Sequence, residues 1–409
     1  MLRATKARRL EFYYDYSCPY AYLGSVRAQE LAAKMGLPLE YAPMFLGGVF
    51  RAVQTPLNLM NVLSPAKAEH NAHDLLRWAK LFDVPLVIPP NHPQRTAAAL
   101  RATLVTGCDP AVVDGFFRAY WVRGDDLADR TTLERVLRDA GHDAEKVLAE
   151  ADSERVRNDL KARTDVAIGH GIFGAPAYLV DGEHLYWGQD RMHFVADLRY
   201  EDLFAPKTPS KSAPMKHTLD LYWDFSSPFG YLGSTQAEAL AARTGAELTW
   251  RPMLLGGLFK IIGQADFPMA TFSPAKQKYY ADDIQRWAAY WGVPMKWPSR
   301  FPINTVKALR CYLALPPEAQ RPFREAAFAA FWADDRDISD DAVLRELLGS
   351  HADATLAKIQ EKAIKDELIA CTDRAAKAGV FGAPTWVVDG KELFWGQDRI
   401  PLVERALTT

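Results

Sequence analysis

The sequence predicts an α/β protein built of two tandem thioredoxin-like domains, each interrupted by a helical insertion. Three observations carry that reading. An ordered series of motifs occurs twice in the 409 residues, with matched positions about 209 apart. Each copy opens on a short aromatic run that meets a proline and then an apolar-periodic run, the mark of a strand passing straight into a helix. Each copy closes on two short β-rich runs around Asp181-Gly182 or Asp389-Gly390, a hairpin signature. A period this long means duplicated domains rather than a solenoid.

Taken in order, Asp15-Tyr16-Ser17-Cys18-Pro19-Tyr20-Ala21-Tyr22-Leu23-Gly24-Ser25 matches Asp224-Phe225-Ser226-Ser227-Pro228-Phe229-Gly230-Tyr231-Leu232-Gly233-Ser234. A proline fits the first turn of a helix, where its missing N–H costs nothing, so a helix is expected from Pro228 to Arg243. A second strand is expected over Leu39–Met44 and Leu248–Met253. Leu46-Gly47-Gly48-Val49-Phe50-Arg51 then matches Leu255-Gly256-Gly257-Leu258-Phe259-Lys260, and Ser64-Pro65-Ala66-Lys67 matches Ser273-Pro274-Ala275-Lys276. The Ala-, Leu-, Arg- and Asp-rich middle reads as helices, among them Ala66–Leu81, Arg95–Val105, Ala144–Ile168, Ala275–Trp291 and Ala354–Ala378. Phe173-Gly174-Ala175-Pro176 matches Phe381-Gly382-Ala383-Pro384 just before the hairpin. Gly188-Gln189-Asp190-Arg191 matches Gly396-Gln397-Asp398-Arg399 at the start of a last helix. The order β-α-β, helices, β-β-α is the thioredoxin-like layout with an insertion. The domains are read as 1–204 and 217–409. A Pro-, Ser- and Lys-rich linker, 205–216, is short enough that the two copies are expected to pack together, related by a rough two-fold.

With 49% hydrophobic and 24% charged residues and a formal charge of -2, the composition is that of a globular chain with no electrostatic case for nucleic acid. Met1 to Arg9 is basic, but no long apolar run follows it, and no stretch reaches the ~18 apolar residues a membrane span needs. The cytoplasm is the expected location. Cys18, Cys108, Cys311 and Cys371 show neither Cys-x-x-Cys nor metal spacing, so neither a disulfide framework nor a bound metal is expected.

The chemistry gathers at the strand-to-helix junction. Ser227 and Cys18 sit where a helix N-terminus offers unpaired N–H groups and partial positive charge. There a bound thiol is favoured as thiolate. Ser227 has no histidine partner of its own, since His217 is matched by Arg8, so it reads as a hydrogen-bond donor to another molecule's sulfur rather than as a nucleophile. Glutathione is the abundant cytosolic thiol. The Ala-Pro pairs are suited to a cis bond that turns the N–H and C=O of Ala175 or Ala383 toward an extended peptide. The last helix start can take a carboxylate on its N–H groups, with Asp398 accepting from an ammonium. The plainer alternatives are an N-cap for Ser227 or Asp398, a turn for the prolines and surface charge for Arg399.

Together these motifs resemble the 2-hydroxychromene-2-carboxylate isomerase family, related to kappa-class glutathione transferases and DsbA-like proteins. The resemblance covers both halves. It implies a DsbA/kappa-type fold and a glutathione site in which Ser227 holds the sulfur and Ala383, Pro384, Gly396, Gln397, Asp398 and Arg399 line the peptide. Ala175, Pro176, Gln189 and Asp190 are the counterparts in the first half. It places Lys260 and Asn304 near a small aromatic substrate. The family chain is usually one copy that dimerises, so the two halves are expected to form an internal pseudo-dimer. The first half departs from the pattern, with Cys18, Arg51 and Arg95 opposite Ser227, Lys260 and Asn304. Cys18 lacks the second cysteine that would close a disulfide within its motif, yet its helix-start position predicts it as the most readily alkylated thiol. The expected activity is glutathione-dependent cis–trans isomerisation in aromatic-compound degradation. A kappa-like transferase, a Cys18-based thiol oxidoreductase and a non-catalytic binding tandem stand as alternatives.

Overall fold

The computed structural model describes residues 8–56, 63–204, 217–265 and 268–408. The expected linker at 205–216 and most of the basic start lie outside them. The chain forms two compact units. One holds Met1–Leu63, Ala72–Lys207 and Ser273–Tyr279, the other Ser64–Asn71, Thr208–Phe272 and Tyr280–Thr409.

The first unit is built on β1 (Leu10–Tyr14), α1 (Pro19–Met35), β2 (Leu39–Pro43) and α2 (Leu46–Ala52). A helical run follows: α3 (Pro65–Phe82, which belongs to this unit only from Ala72 onward), α4 (Ala97–Val105), α5 (Pro110–Arg118), α6 (Arg130–Asp139), α7 (Ala144–Ala151) and α8 (Glu154–Gly169). Next come β3 (Ala177–Val180), β4 (His184–Trp187), α9 (Met192–Val195) and α10 (Tyr200–Phe204). Its sheet runs β2-β1-β3-β4, with β1 parallel to β2 and antiparallel to β3. β1 is buried along its whole length, as a central strand covered on both faces must be. Asp181 and Gly182 turn the hairpin with φ of 57° and 76°, as their pairing predicts.

The second unit repeats the plan: β5 (Thr218–Trp223), α11 (Pro228–Thr244), β6 (Glu247–Pro252), α12 (Leu255–Ile261) and α13 (Pro274–Trp291, which belongs to this unit only from Tyr280 onward). The insertion continues with α14 (Val306–Ala314), α15 (Pro317–Trp332), α16 (Asp341–Leu348), α17 (Ala352–Lys358) and α18 (Lys362–Lys377). The unit closes on β7 (Thr385–Val388), β8 (Glu392–Trp395) and α19 (Ile400–Ala406). Its sheet order is β6-β5-β7-β8. Tyr222, Met253, Leu258, Ala375, Val380, Ala383 and Val387 form a core that reaches from the sheet to the residue before Pro384.

Two expected long helices are each split. Ala144–Ile168 breaks at Asp152-Ser153, because the Ser153 hydroxyl accepts the Val156 N–H and starts a new helix. Ala354–Ala378 breaks into α17 and α18. The last helix starts two residues late in each unit, after a 3₁₀ turn, Gln189–Arg191 or Gln397–Arg399. The double-glycine runs at Leu46 and Leu255 form helices that glycine content argues against, because a buried carboxylate caps each one.

Candidate functional site

Asp224 is fully buried at the end of β5, and the turn before α11 is built on it. Its Oδ1 accepts the Ser226 N–H at 3.0 Å, its Oδ2 accepts the Leu255 N–H at 2.7 Å, and the Thr305 hydroxyl donates to it as well. Asp15 does the same in the first unit, taking Ser17 N–H at 3.0 Å, Leu46 N–H at 2.9 Å and the Thr96 hydroxyl at 2.6 Å. One carboxylate thus ties together the strand end, the α1 or α11 turn, the start of α2 or α12, and the head of α4 or α14. Lys260 rides on α12 and Asn304 directly precedes Thr305. Arg51 and Arg95 hold the matching places in the first unit. Burial raises the pKa of both aspartates, against the lowering effect of their donors.

Ser227 is the N-cap of α11 and is 4% exposed. Its Oγ accepts the Gly230 N–H at 2.9 Å and donates to Ala383 O at 2.8 Å. Ala383–Pro384 and Ala175–Pro176 are cis, as expected. The Ala383 carbonyl, however, does not point away from the fold: the serine hydroxyl holds it. Close approach of the two elements depends on Gly233, where a Cβ would lie 3.0 Å from Pro384 Cγ. One hydroxyl therefore both caps the helix and holds the carbonyl before the cis bond.

Cys18 repeats this geometry with sulfur, its Sγ donating to Ala175 O at 3.1 Å without capping the helix. Here the structure corrects the sequence reading. The thiol is 8% exposed, and burial pushes its pKa up to about 12, outweighing the Ala21 and Tyr20 N–H groups that lower it. Cys18 is a buried, protonated donor rather than a reactive thiolate. Of the four cysteines, Cys108 is the one that is not buried.

Gly396 caps the 3₁₀ turn and Arg399 holds the N-cap position of the last helix, so Asp398 caps neither. The φ of Gly396 is 114°, and a Cβ there would run into Asp398 Oδ1, so glycine is required. Asp398 pairs with Arg399 at 3.1 Å, and Asp190 with Arg191 at 3.0 Å. Gln397 and Gln189 are buried. Lys260, Asn304, Arg51 and Arg95 are exposed. Asn304 spends its side-chain oxygen on the Val306 N–H at 3.0 Å.

Sequence reading missed two contacts at the strand before these turns. Within the second unit His70 Nε2 accepts the Trp395 N–H at 3.1 Å, and Lys67 Nζ lies 4.8 Å from the Trp395 ring. Within the first unit the Tyr279 hydroxyl accepts the Trp187 N–H at 2.9 Å, and Lys276 lies over the Trp187 ring. The repeated Ser-Pro-Ala-Lys motif was the signal, without a stated role. Among the described residues no group of three or more His, Cys, Asp or Glu could hold a metal ion, and no helix is long and apolar enough to cross a membrane.

Against known families, the DSBA-like thioredoxin domain matches residues 9–198 and again 218–408. A 2-hydroxychromene-2-carboxylate isomerase of Sphingobium xenophagum is 32% identical over 202 residues, 47% of this chain and 99% of the relative. Glutathione S-transferase kappa 2 of Caenorhabditis elegans is 28% identical over 221 residues, 49% of this chain and 96% of the relative. A solved 2-hydroxychromene-2-carboxylate isomerase structure overlaps 46% of this chain and 92% of its own, at 26% identity and a TM-score of 0.42. Each relative spans one half, and the family domain is present twice. The chain belongs to the DSBA-like thioredoxin domain family, on the side of the 2-hydroxychromene-2-carboxylate isomerases and kappa glutathione transferases, as a tandem of two copies.

Proposed function

We propose that this chain is a glutathione-dependent cis–trans isomerase acting on a small aromatic acid of the hydroxychromene carboxylate type, with the working site in the second unit. The observation that carries the reading is the Ser227 hydroxyl, capped onto a helix start and bonded to the carbonyl before Pro384. Bound glutathione would supply a sulfur that adds reversibly to a conjugated carbon, so that a bond can rotate before the sulfur leaves. Ser227 would swing its O–H from Ala383 O to that sulfur, and the helix start would favour the thiolate. The freed Ala383 carbonyl would accept a peptide N–H. Gln397, Asp398 and Arg399 would hold the γ-glutamyl end, with Asp398 toward its ammonium. Lys260 and Asn304 would steady the substrate's oxygens.

The kappa transferase relatives favour one second reading, conjugation of glutathione to an electrophile, in which glutathione is consumed. A Cys18-based oxidoreductase is disfavoured by the buried, protonated thiol. We further read the protein as cytoplasmic and its reaction as a step in aromatic degradation. We read the copies as domains 1–204 and 217–409 that pair within the chain. A monomeric sedimentation coefficient would fit that pairing.

The test is a calorimetric glutathione titration beside turnover of a hydroxychromene carboxylate with glutathione measured before and after. Turnover without glutathione loss, abolished in Ser227→Ala and kept in Cys18→Ser, supports the reading. Loss of activity in Cys18→Ser with Ser227→Ala silent would move the chemistry to the first unit, and consumed glutathione would make the enzyme a transferase.

A further inference from the structure

The two units share a frame around the strand-to-helix turn but finish one wall of that frame differently. In the second unit the Trp332 indole donates to Phe225 O at 2.8 Å, with the rings of Phe301 and Phe331 5.7 and 4.8 Å from its own. Trp297 stands 4.9 Å from Phe301. That wall is aromatic throughout. In the first unit Trp121 donates to Tyr16 O at 2.8 Å in the same way, but its neighbours are His92, at 5.1 Å where the second unit has Phe301, and Tyr120, at 4.4 Å where it has Phe331. The backbone differs too. Tyr120 and Trp121 lie in a π-helical turn, Ala119–Arg123, while α15 runs as regular helix through Trp332. Such turns are uncommon and concentrate at functional positions.

The hydrogen bonds fix where the protons are. The Tyr120 hydroxyl is buried and accepts the Gln94 backbone N–H at 2.9 Å. Gln94 is itself held: its side chain donates to Asn91 Oδ1 and Asp125 O and accepts the Leu127 N–H. His92 Nδ1 lies 2.8 Å from the same hydroxyl. A hydroxyl has one proton, and if His92 were the donor that buried proton would face no acceptor among the described residues. Tyr120 therefore donates to Nδ1, and the imidazole carries its own proton on Nε2. Burial lowers the His92 pKa, which keeps the ring neutral. No described residue bonds Nε2, and the ring is half-buried. The loop that carries it is tied to the Cys18 turn by Thr96, which donates to Asp15, and the Trp121 ring beside the imidazole is tied to the same turn through Tyr16 O.

We propose that His92 is a specificity-determining residue of the first unit, whose Nε2–H donates to the oxygen of a conjugated carbonyl substrate that the Phe301 wall of the second unit does not bond. This rests on the glutathione reading above, extended to the first unit, whose turnover of an uncharged conjugated carbonyl is separate from the hydroxychromene carboxylate turnover that Ser227→Ala removes from the second. When sulfur adds to the conjugated carbon, the displaced electron pair comes to rest on that carbonyl oxygen. It returns when the sulfur leaves, so no oxidant or reductant enters. A neutral imidazole donor already in place meets that charge without reorganising. Arg95, three residues on, adds a fixed cation for a carboxylate on the same molecule.

The experiment uses the full chain carrying Ser227→Ala, with benzylideneacetone as the conjugated carbonyl probe. Nitrogen-15 spectra should show His92 protonated at Nε2 and bare at Nδ1, with Tyr120→Phe turning this into a mixture. Benzylideneacetone added to the glutathione-free protein should move the Nε2–H resonance. With glutathione, His92→Phe should lower kcat on the order of tenfold, the loss of one charge-facing hydrogen bond, and His92→Gln should recover part of it. A proton on Nδ1, an Nε2–H resonance that the probe leaves in place, or a His92→Phe chain as fast as its parent overturns the proposal. Absence of glutathione binding would instead overturn the reading it rests on, and the glutathione-free titration would still decide the role of His92.

Discussion

The Asp224 carboxylate accepts the Leu255 N–H at 2.7 Å, and through that bond the strand leading to Ser227 is fixed to the helix that carries Lys260. Burial raises the pKa of this carboxyl, so the folded chain holds its proton more tightly than the unfolded chain does. The stability it contributes is fully present below the ordinary aspartate value of 3.8 and is lost as pH rises through the higher folded value. Asp224→Asn removes that term and turns one acceptor into a donor facing N–H groups. We expect it to cost about 1–3 kcal/mol. Denaturant melts should show the advantage of the natural chain over Asp224→Asn shrinking as pH rises above about 4. An advantage that grows as pH rises would refute the raised pKa.

Gly233 and Gly256 make a paired test of packing against propensity. A methyl at Gly233 meets Pro384 Cγ at 3.0 Å, while one at Gly256 meets nothing within 4 Å. Gly256→Ala should stabilise by about 0.5–1 kcal/mol. Gly233→Ala has the same propensity gain but must push α11 off Pro384, and should destabilise by about 1–3 kcal/mol. Equal effects in thermal melts would mean that the helix does not rest on that ring.

Thiol labelling should follow exposure. Cys18, Cys311 and Cys371 are buried, with pKa values raised by burial to about 12, about 12 and about 11. Cys108 is partly open, with a pKa raised to a lesser degree by burial. An alkylating reagent followed by peptide mass mapping should mark Cys108 first. Prior labelling of Cys18 in the folded protein would restore the reactive-thiol reading.

Asp398 tests the peptide end of the site. Because Asp398 caps neither the 3₁₀ turn nor the last helix, Asp398→Ala should leave the helix start intact. It should weaken glutathione binding on the order of tenfold by removing one charge-assisted bond. Unchanged affinity by calorimetry, with a lowered melting temperature, would make Asp398 a structural residue.

The duplicated plan was legible because it rests on order and spacing, which survive in sequence. So was the turn at Pro228, since a proline after two serines has few places to go. The carboxylates of Asp15 and Asp224 were not. Each appears as one acidic residue in an aromatic strand, and its importance comes from donors 31 residues away at Leu46 and Leu255 and 81 away at Thr96 and Thr305. The α2 and α12 helices were missed for the same reason, since their glycines speak against helix and the cap that decides the matter is distant. Cys18 shows the opposite failure. Its place at a helix start was read correctly, but burial, a property of the folded chain, reverses the expected ionisation.

When two identical subunits build two sites, every mutation is copied into both, and neither site can change its preference without the other. Here the copies lie on one chain, so Ser227 and Cys18, or Phe301 and His92, answer to separate codons. One site can be kept under purifying selection while the other is free to change, at a fixed ratio of one to one and without a second gene to regulate.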